Sequence, residues 1–141
     1  MENARLAIAS PGNLRLAINA IMALDGFFGT VHTERYDQGL TKEPSDDKWK
    51  DQLAQQNADY RLLRDCAYAL KHGRLTKSKP RLVRRSDQIV TMPGAFDAAA
   101  FRNNAFQVQT VWIEAVDTDH RAGQVLQGVL QFARDCLSDL P

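Results

Sequence analysis

The sequence predicts an α+β domain that is mostly helical, and three patterns carry that prediction. Two stretches space apolar residues three and four apart over more than twenty positions, as a helix buried along one face does. Residues 106–116 instead alternate and are rich in β-branched and aromatic side chains, which suits a half-buried strand. The last stretch returns to helical spacing. A chain of 141 residues fits one domain, 1–141, long enough to build a core without disulfides or metals.

The first helix is expected at about 12–33. Ser10 and Pro11 form a good N-cap and N1 pair. Its seam is Leu14, Ile18, Ile21, Asp25, Phe28 and His32, so two polar residues interrupt an apolar stripe. Residues 33–47 read as a loop. The second helix is expected at about 46–73, antiparallel to the first. Asp46 and Asp47 sit in its first turn, where they complement the helix dipole. Trp49, Leu53, Gln56, Tyr60, Leu63, Ala67 and Leu70 form one face, and Ala58, Leu62, Cys66 and Ala69 a second. Gly73 is a natural stop. Two apolar faces on one helix leave a surplus that a two-fold homodimer would cover. Short strands are expected at about 81–91 and 106–116, forming a small antiparallel sheet. Thr118 or Asp119 then caps a C-terminal helix at about 120–138, with Val125, Leu126, Val129, Leu130, Ala133 and Leu137 as its stripe.

The near balance of 18 basic and 17 acidic residues hides a polarised chain. Between positions 66 and 86 stand Lys71, Arg74, Lys77, Lys79, Arg81, Arg84 and Arg85, with no acid among them. Local fields, not totals, attract partners, so this run suits a polyanion such as RNA. If 81–85 is a strand, Arg81 and Arg85 share one face and Arg84 takes the other. No aromatic residue interleaves in the run, so it offers no base-stacking site of its own. Solubility, or contact with the chain's own acidic regions, would use the same charges.

Other chemistries lack their signatures. There is no P-loop, GxGxxG, GxSxG or Cys-x-x-Cys. Three histidines and two cysteines are scattered without metal-ligand spacing, so neither metal nor cofactor is expected. Cys66 and Cys136 read as reduced thiols of a cytoplasmic protein. The N-terminus lacks a basic n-region, so no signal peptide is expected. No membrane span is expected either, because Arg15, Asn19 and Asp25 break the longest apolar region, 14–31.

Candidate chemistry gathers at the end of the second helix. Asp65 and His72 are seven apart and share a face. A histidine can exchange protons near neutral pH. A neighbouring arginine can stabilise a pentavalent phosphate, and a carboxylate can orient the imidazole. Those three roles suffice for metal-independent RNA cleavage with the 2′-OH as nucleophile. The plainer reading is a solvated helix end whose basic residues answer the dipole. Asp25, a carboxylate in a seam, needs a partner. Arg64, Lys71 and His72 on the neighbouring helix are the candidates, as a brace or as part of a site.

The stretch LLRDCAYALKHG resembles the Arg-polar…His signature of HEPN domains, small helical bacterial domains of toxin–antitoxin and defence systems. Many of these are dimeric, metal-independent endoribonucleases. The resemblance implies that Arg64 binds phosphate and His72 transfers protons. Asp65 or Asp25 would orient His72, with Lys71, Arg74, Lys77, Lys79, Arg81 and Arg85 holding RNA. The same helix end, followed by Trp112, Ile113 and Glu114, also resembles a group of small bacterial proteins. A second reading is a non-catalytic homo-oligomeric interaction protein whose polar cluster braces helix against helix.

Overall fold

The computed structural model describes residues 1–75, 80–92 and 109–138. In chain order the elements are α1 (Glu2–Ala9), α2 (Leu14–Asp37), α3 (Asp46–Gln56), α4 (Ala58–His72), a 3-10 turn (Ser86–Gln88), β1 (Ile89–Met92), β2 (Thr110–Glu114), β3 (Asp119–Arg121) and α5 (Ala122–Ser138). The predicted class therefore holds: mostly helical, with a small antiparallel sheet ordered β1-β2-β3 and a C-terminal helix. The boundaries differ in instructive ways.

α1 was not foreseen, because its eight residues bury only Ala4 and Ala7 and show no long period. Ser10 closes α1, its N–H donating to the Leu6 and Ala7 carbonyls. The cap of α2 is Asn13, whose side chain accepts from the Leu16 N–H at 3.1 Å. α2 also continues past Thr33 to Asp37, since no helix breaker intervenes before Gly39, which sits at φ 71°.

The expected helix 46–73 is two helices. Asn57 adopts an extended backbone at φ −138°, ψ 118°. Its N–H closes α3 on the Leu53 carbonyl, and its side chain opens α4 by accepting from the Tyr60 N–H at 2.8 Å. Asparagine competes with helix hydrogen bonding in this way. The apolar spacing runs on across the break, so periodicity alone could not show it. α2 and α4 run antiparallel: Asp25 meets Lys71, while Phe28, further along α2, meets Tyr60, further back along α4.

Ile89 pairs with Ile113 and Met92 with Thr110, while Trp112 pairs with Arg121. Alternation turns Ile89, Val111 and Ile113 into the core. Strand structure begins only at Ile89, so residues 81–88 correct the expected strand 81–91. The chain there pairs instead with residues 73–75, just past α4, through Leu75 N–H to Arg84 O at 2.8 Å and Ser86 N–H to Gly73 O at 3.0 Å. Of the other expected strand, 106–108 lie outside the described residues. His120 belongs to β3, because 119–121 pair with β2, and α5 starts at Ala122. Thr118 and Asp119 therefore do not cap α5.

The core centres on Phe28, Tyr60 and Phe132, with ring centroids 4.2–5.9 Å apart. Ile21, Leu24, Leu62, Leu63, Leu126 and Val129 pack round them. α2 is long and apolar enough to cross a membrane by composition, but here Ala17, Ala20, Ile21, Leu24 and Phe28 are buried among the other helices. The turn between α1 and α2 docks on β2, Val111 N–H donating to Pro11 O at 2.8 Å. Gly12 permits that approach: a Cβ there would stand 2.5 Å from the Gln109 carbonyl oxygen. Gly12→Ala is expected to cost about 1–3 kcal/mol, an overpacking loss, read as a lower urea midpoint. An unchanged midpoint would mean that the turn is not held against Gln109.

Candidate functional site

The site is built round Asp25, midway along α2 and 1% exposed. Its seam position turns it toward α3 and α4. Lys71 Nζ lies 2.8 Å from Oδ2, Lys50 Nζ 3.7 Å from Oδ2, and Arg64 Nη1 3.6 Å from Oδ1. Two of the three expected partners are thus present, and His72 is not. Lys50 was not foreseen. It is 4% exposed and also pairs with Asp46 at 3.0 Å. Gly29 on α2 makes its room, since a Cβ there would stand 3.1 Å from Lys50 Nζ. The one sequence signal was the i,i+4 spacing of Asp46 and Lys50.

Arg64 is 1% exposed and every nitrogen has an acidic partner. Nε donates to Asp51 Oδ1 at 2.9 Å, Nη2 to the Asp47 carbonyl at 2.8 Å, and Nη1 faces Asp25. Burial works against the guanidinium charge, but the Asp51 hydrogen bond and its neighbours outweigh that and raise its pKa. Tyr60 stands beside this cluster. Burial, aided by the Asp25 charge, pushes its phenol well above the ordinary value.

Asp47 shows the opposite balance. Burial pulls its carboxyl up, yet Tyr68 and the Arg64 charge hold it below the ordinary carboxylate value. A depressed folded-state pKa contributes stability above the unfolded value, and that contribution vanishes as pH falls through the folded one. The stability gap between wild type and Asp47→Asn is therefore expected to stay constant near neutrality and to close below about pH 4. Urea midpoints taken down the pH scale would show it, and a gap that persisted in strong acid would remove Asp47 from the network.

Asp65 is committed elsewhere. It is 3% exposed, accepts from Arg81 Nη1 at 2.6 Å and from the Leu82 N–H at 2.7 Å, and so ties the returning chain to α4. Tyr68 sits one turn on. The Arg81 guanidinium carbon is 4.2 Å and that of Arg64 5.0 Å from its ring centroid, both within cation–π range. His72 is exposed and stacks on Tyr68, centroids 5.9 Å apart and planes at 25°. Arg64 and His72 are thus parted by Tyr68 on the helix, one buried and one at the surface. Within one chain Arg64, Asp65 and His72 do not meet on one hollow, because neighbours consume the first two.

The basic run divides in the same way. Lys71 reaches in to Asp25, and Arg81 is held by Asp65. Arg74, Arg84 and Arg85 are exposed, Arg85 pairing with Asp87 at 3.0 Å. Lys77 and Lys79 lie outside the described residues. With no strand at 81–85, the alternation of Arg81, Arg84 and Arg85 does not apply. Pairing of 73–75 with 84–86 instead sets Arg74 directly across from Arg85.

His32 is buried within α2 rather than closing it. Its Nε2–H donates to the Glu43 carbonyl at 2.7 Å and its ring lies 5.5 Å from that of Trp49, pinning the α2–α3 connection. Among the described residues no group of three His, Cys, Asp or Glu is placed to hold a metal ion. Comparison with protein-family models, with curated proteins and with solved structures gives no match.

Proposed function

We propose that this chain is a non-catalytic, HEPN-like binding protein of the cytoplasm, whose buried charges brace the helices and whose exposed basic end receives a polyanion. The observation that carries the reading is the pairing of Arg74 with Arg85. Like charges directly opposite one another destabilise a strand pair; Asp87 offsets part of that by pairing with Arg85 at 3.0 Å, and Arg84, one residue before Arg85, is also exposed. A bound polyanion removes that cost. The sequestration of Arg64 supports the non-catalytic half, since a guanidinium enclosed by Asp25, Asp47 and Asp51 does not reach a substrate phosphate.

Arg74→Glu tests both halves of the trade. It is expected to raise stability by about 0.2–1 kcal/mol by turning repulsion into attraction. It should also weaken binding of a labelled oligonucleotide and lower the salt slope of affinity. Unchanged affinity would refute the polyanion surface. RNA cleavage in EDTA that His72→Ala abolished at unchanged melting temperature would refute the non-catalytic half and restore the nuclease reading.

The homodimer belongs to the same proposal. Between Arg15 and Glu34 no exposed residue of α2 is charged; Asn19, Gly26, Thr30 and Thr33 line that side, with Ile18, Met22 and Phe27 half-buried beside them. A second copy meeting this face would bury no charge. Light scattering that gave the mass of one chain would remove the dimer.

A further inference from the structure

Arg61, the adjacent pair Arg64 and Asp65, Tyr68 and His72 follow at steps of three and four residues, so they lie on one stripe of α4. A groove of about 780 Å³ runs along the first part of that stripe. Its lining includes Arg61, Arg64 and Asp65, with Asp51 and Gln55 from α3 and Arg81 on the returning chain. Both carboxylates are already engaged, Asp51 by Arg64 and Asp65 by Arg81. Arg61 is exposed at one end of the stripe and His72 at the other. From Arg61 to His72 the helix rises about 17 Å.

His72 is not an isolated surface ring. One face rests on Tyr68, and Tyr68 is itself held by the guanidinium groups of Arg81 and Arg64 over its ring. A ring seated on a rigid support and open to solvent is a stacking platform that needs no ordering when a flat partner arrives. The basic run holds no aromatic residue, but the preceding helix brings one to its edge.

We propose that this stripe of α4 is a track for single-stranded nucleic acid, with a base stacked on His72 and the backbone passing Arg81 toward Arg61. The inference rests on the polyanion reading and adds a ligand class to it. A duplex keeps its bases stacked on one another, whereas a single strand can lend one to a side chain.

The test compares four labelled probes of about twelve nucleotides, measured by fluorescence anisotropy on the full chain. They are oligoadenylate, in ribose and deoxyribose forms, an abasic strand with the same phosphates, and a duplex. Oligoadenylate of either sugar is expected to bind about fivefold or more tighter than the abasic strand, and the sugar that binds better identifies the source. His72→Ala should erase that preference, and His72→Phe, which keeps a ring, should retain it. Arg61→Ala should weaken every single strand alike and reduce the salt slope. Equal binding of oligoadenylate and abasic strand, tighter binding of duplex, or a preference that survives His72→Ala overturns the track and leaves the polyanion surface standing. Failure of all the probes to bind overturns the surface itself.

Discussion

Asp25→Ala is expected to destabilise the fold by about 3–5 kcal/mol, the range for removing one partner from a buried ion pair. The carboxylate is the one negative charge that Lys50, Arg64 and Lys71 share. Lys50 and Arg64 are as buried as Asp25 itself, so solvent cannot take over their charges. Lys71 can swing out, being 44% exposed along its side chain. The acids left behind, Asp46, Asp47 and Asp51, lie nearer the surface and screen less well. Chemical denaturation by urea would read the loss directly. A change near zero would mean that the three cations find water or other acids unaided, and the brace would be withdrawn.

Arg64→Ala is the second large effect, and its cause is different. Asp25 keeps Lys50 and Lys71, so no buried carboxylate is stranded. What is lost is the largest fully buried side chain among the described residues, the hydrogen bonds to Asp51 and to the Asp47 carbonyl, and one support of Tyr68. A loss of about 3–5 kcal/mol is expected, from cavity and broken pairing together. Arg64→Lys should recover only part of it, since an ammonium cannot span Asp25, Asp47 and Asp51 as the planar fork does. The double variant Asp25→Ala with Arg64→Ala should lose less than the two single losses added, by about 0.5–3 kcal/mol. Strict additivity would show that the two groups do not interact.

Much of this was legible in the chain. The 3.6-residue period gave α2, α4 and α5, because an apolar stripe must be buried whatever it packs on. Asp25 betrayed its pairing with Arg64 and Lys71 because a carboxylate in such a stripe has few other ways to be stable. Lys50 gave no such sign. A lysine in the first turns of a polar helix looks solvated, and it is Asp25 that draws it into the gap at Gly29. The break at Asn57 was hidden because the apolar spacing continues through it. The partner of Asp65 could not be read, since it depends on the path by which 80–82 return to α4. The same return replaced the strand expected at 81–85.

The sharing of one acid among three bases has a bearing on how this molecule can drift. A base cannot be traded alone, since its removal upsets the balance the others depend on, and a base cannot be drawn inward without a room like that left by Gly29. Ancestral changes at positions 25, 29, 50 and 64 are therefore bound to one another. A lineage that abandons any one of them is expected to have rebuilt the rest, most simply by filling the space with hydrocarbon.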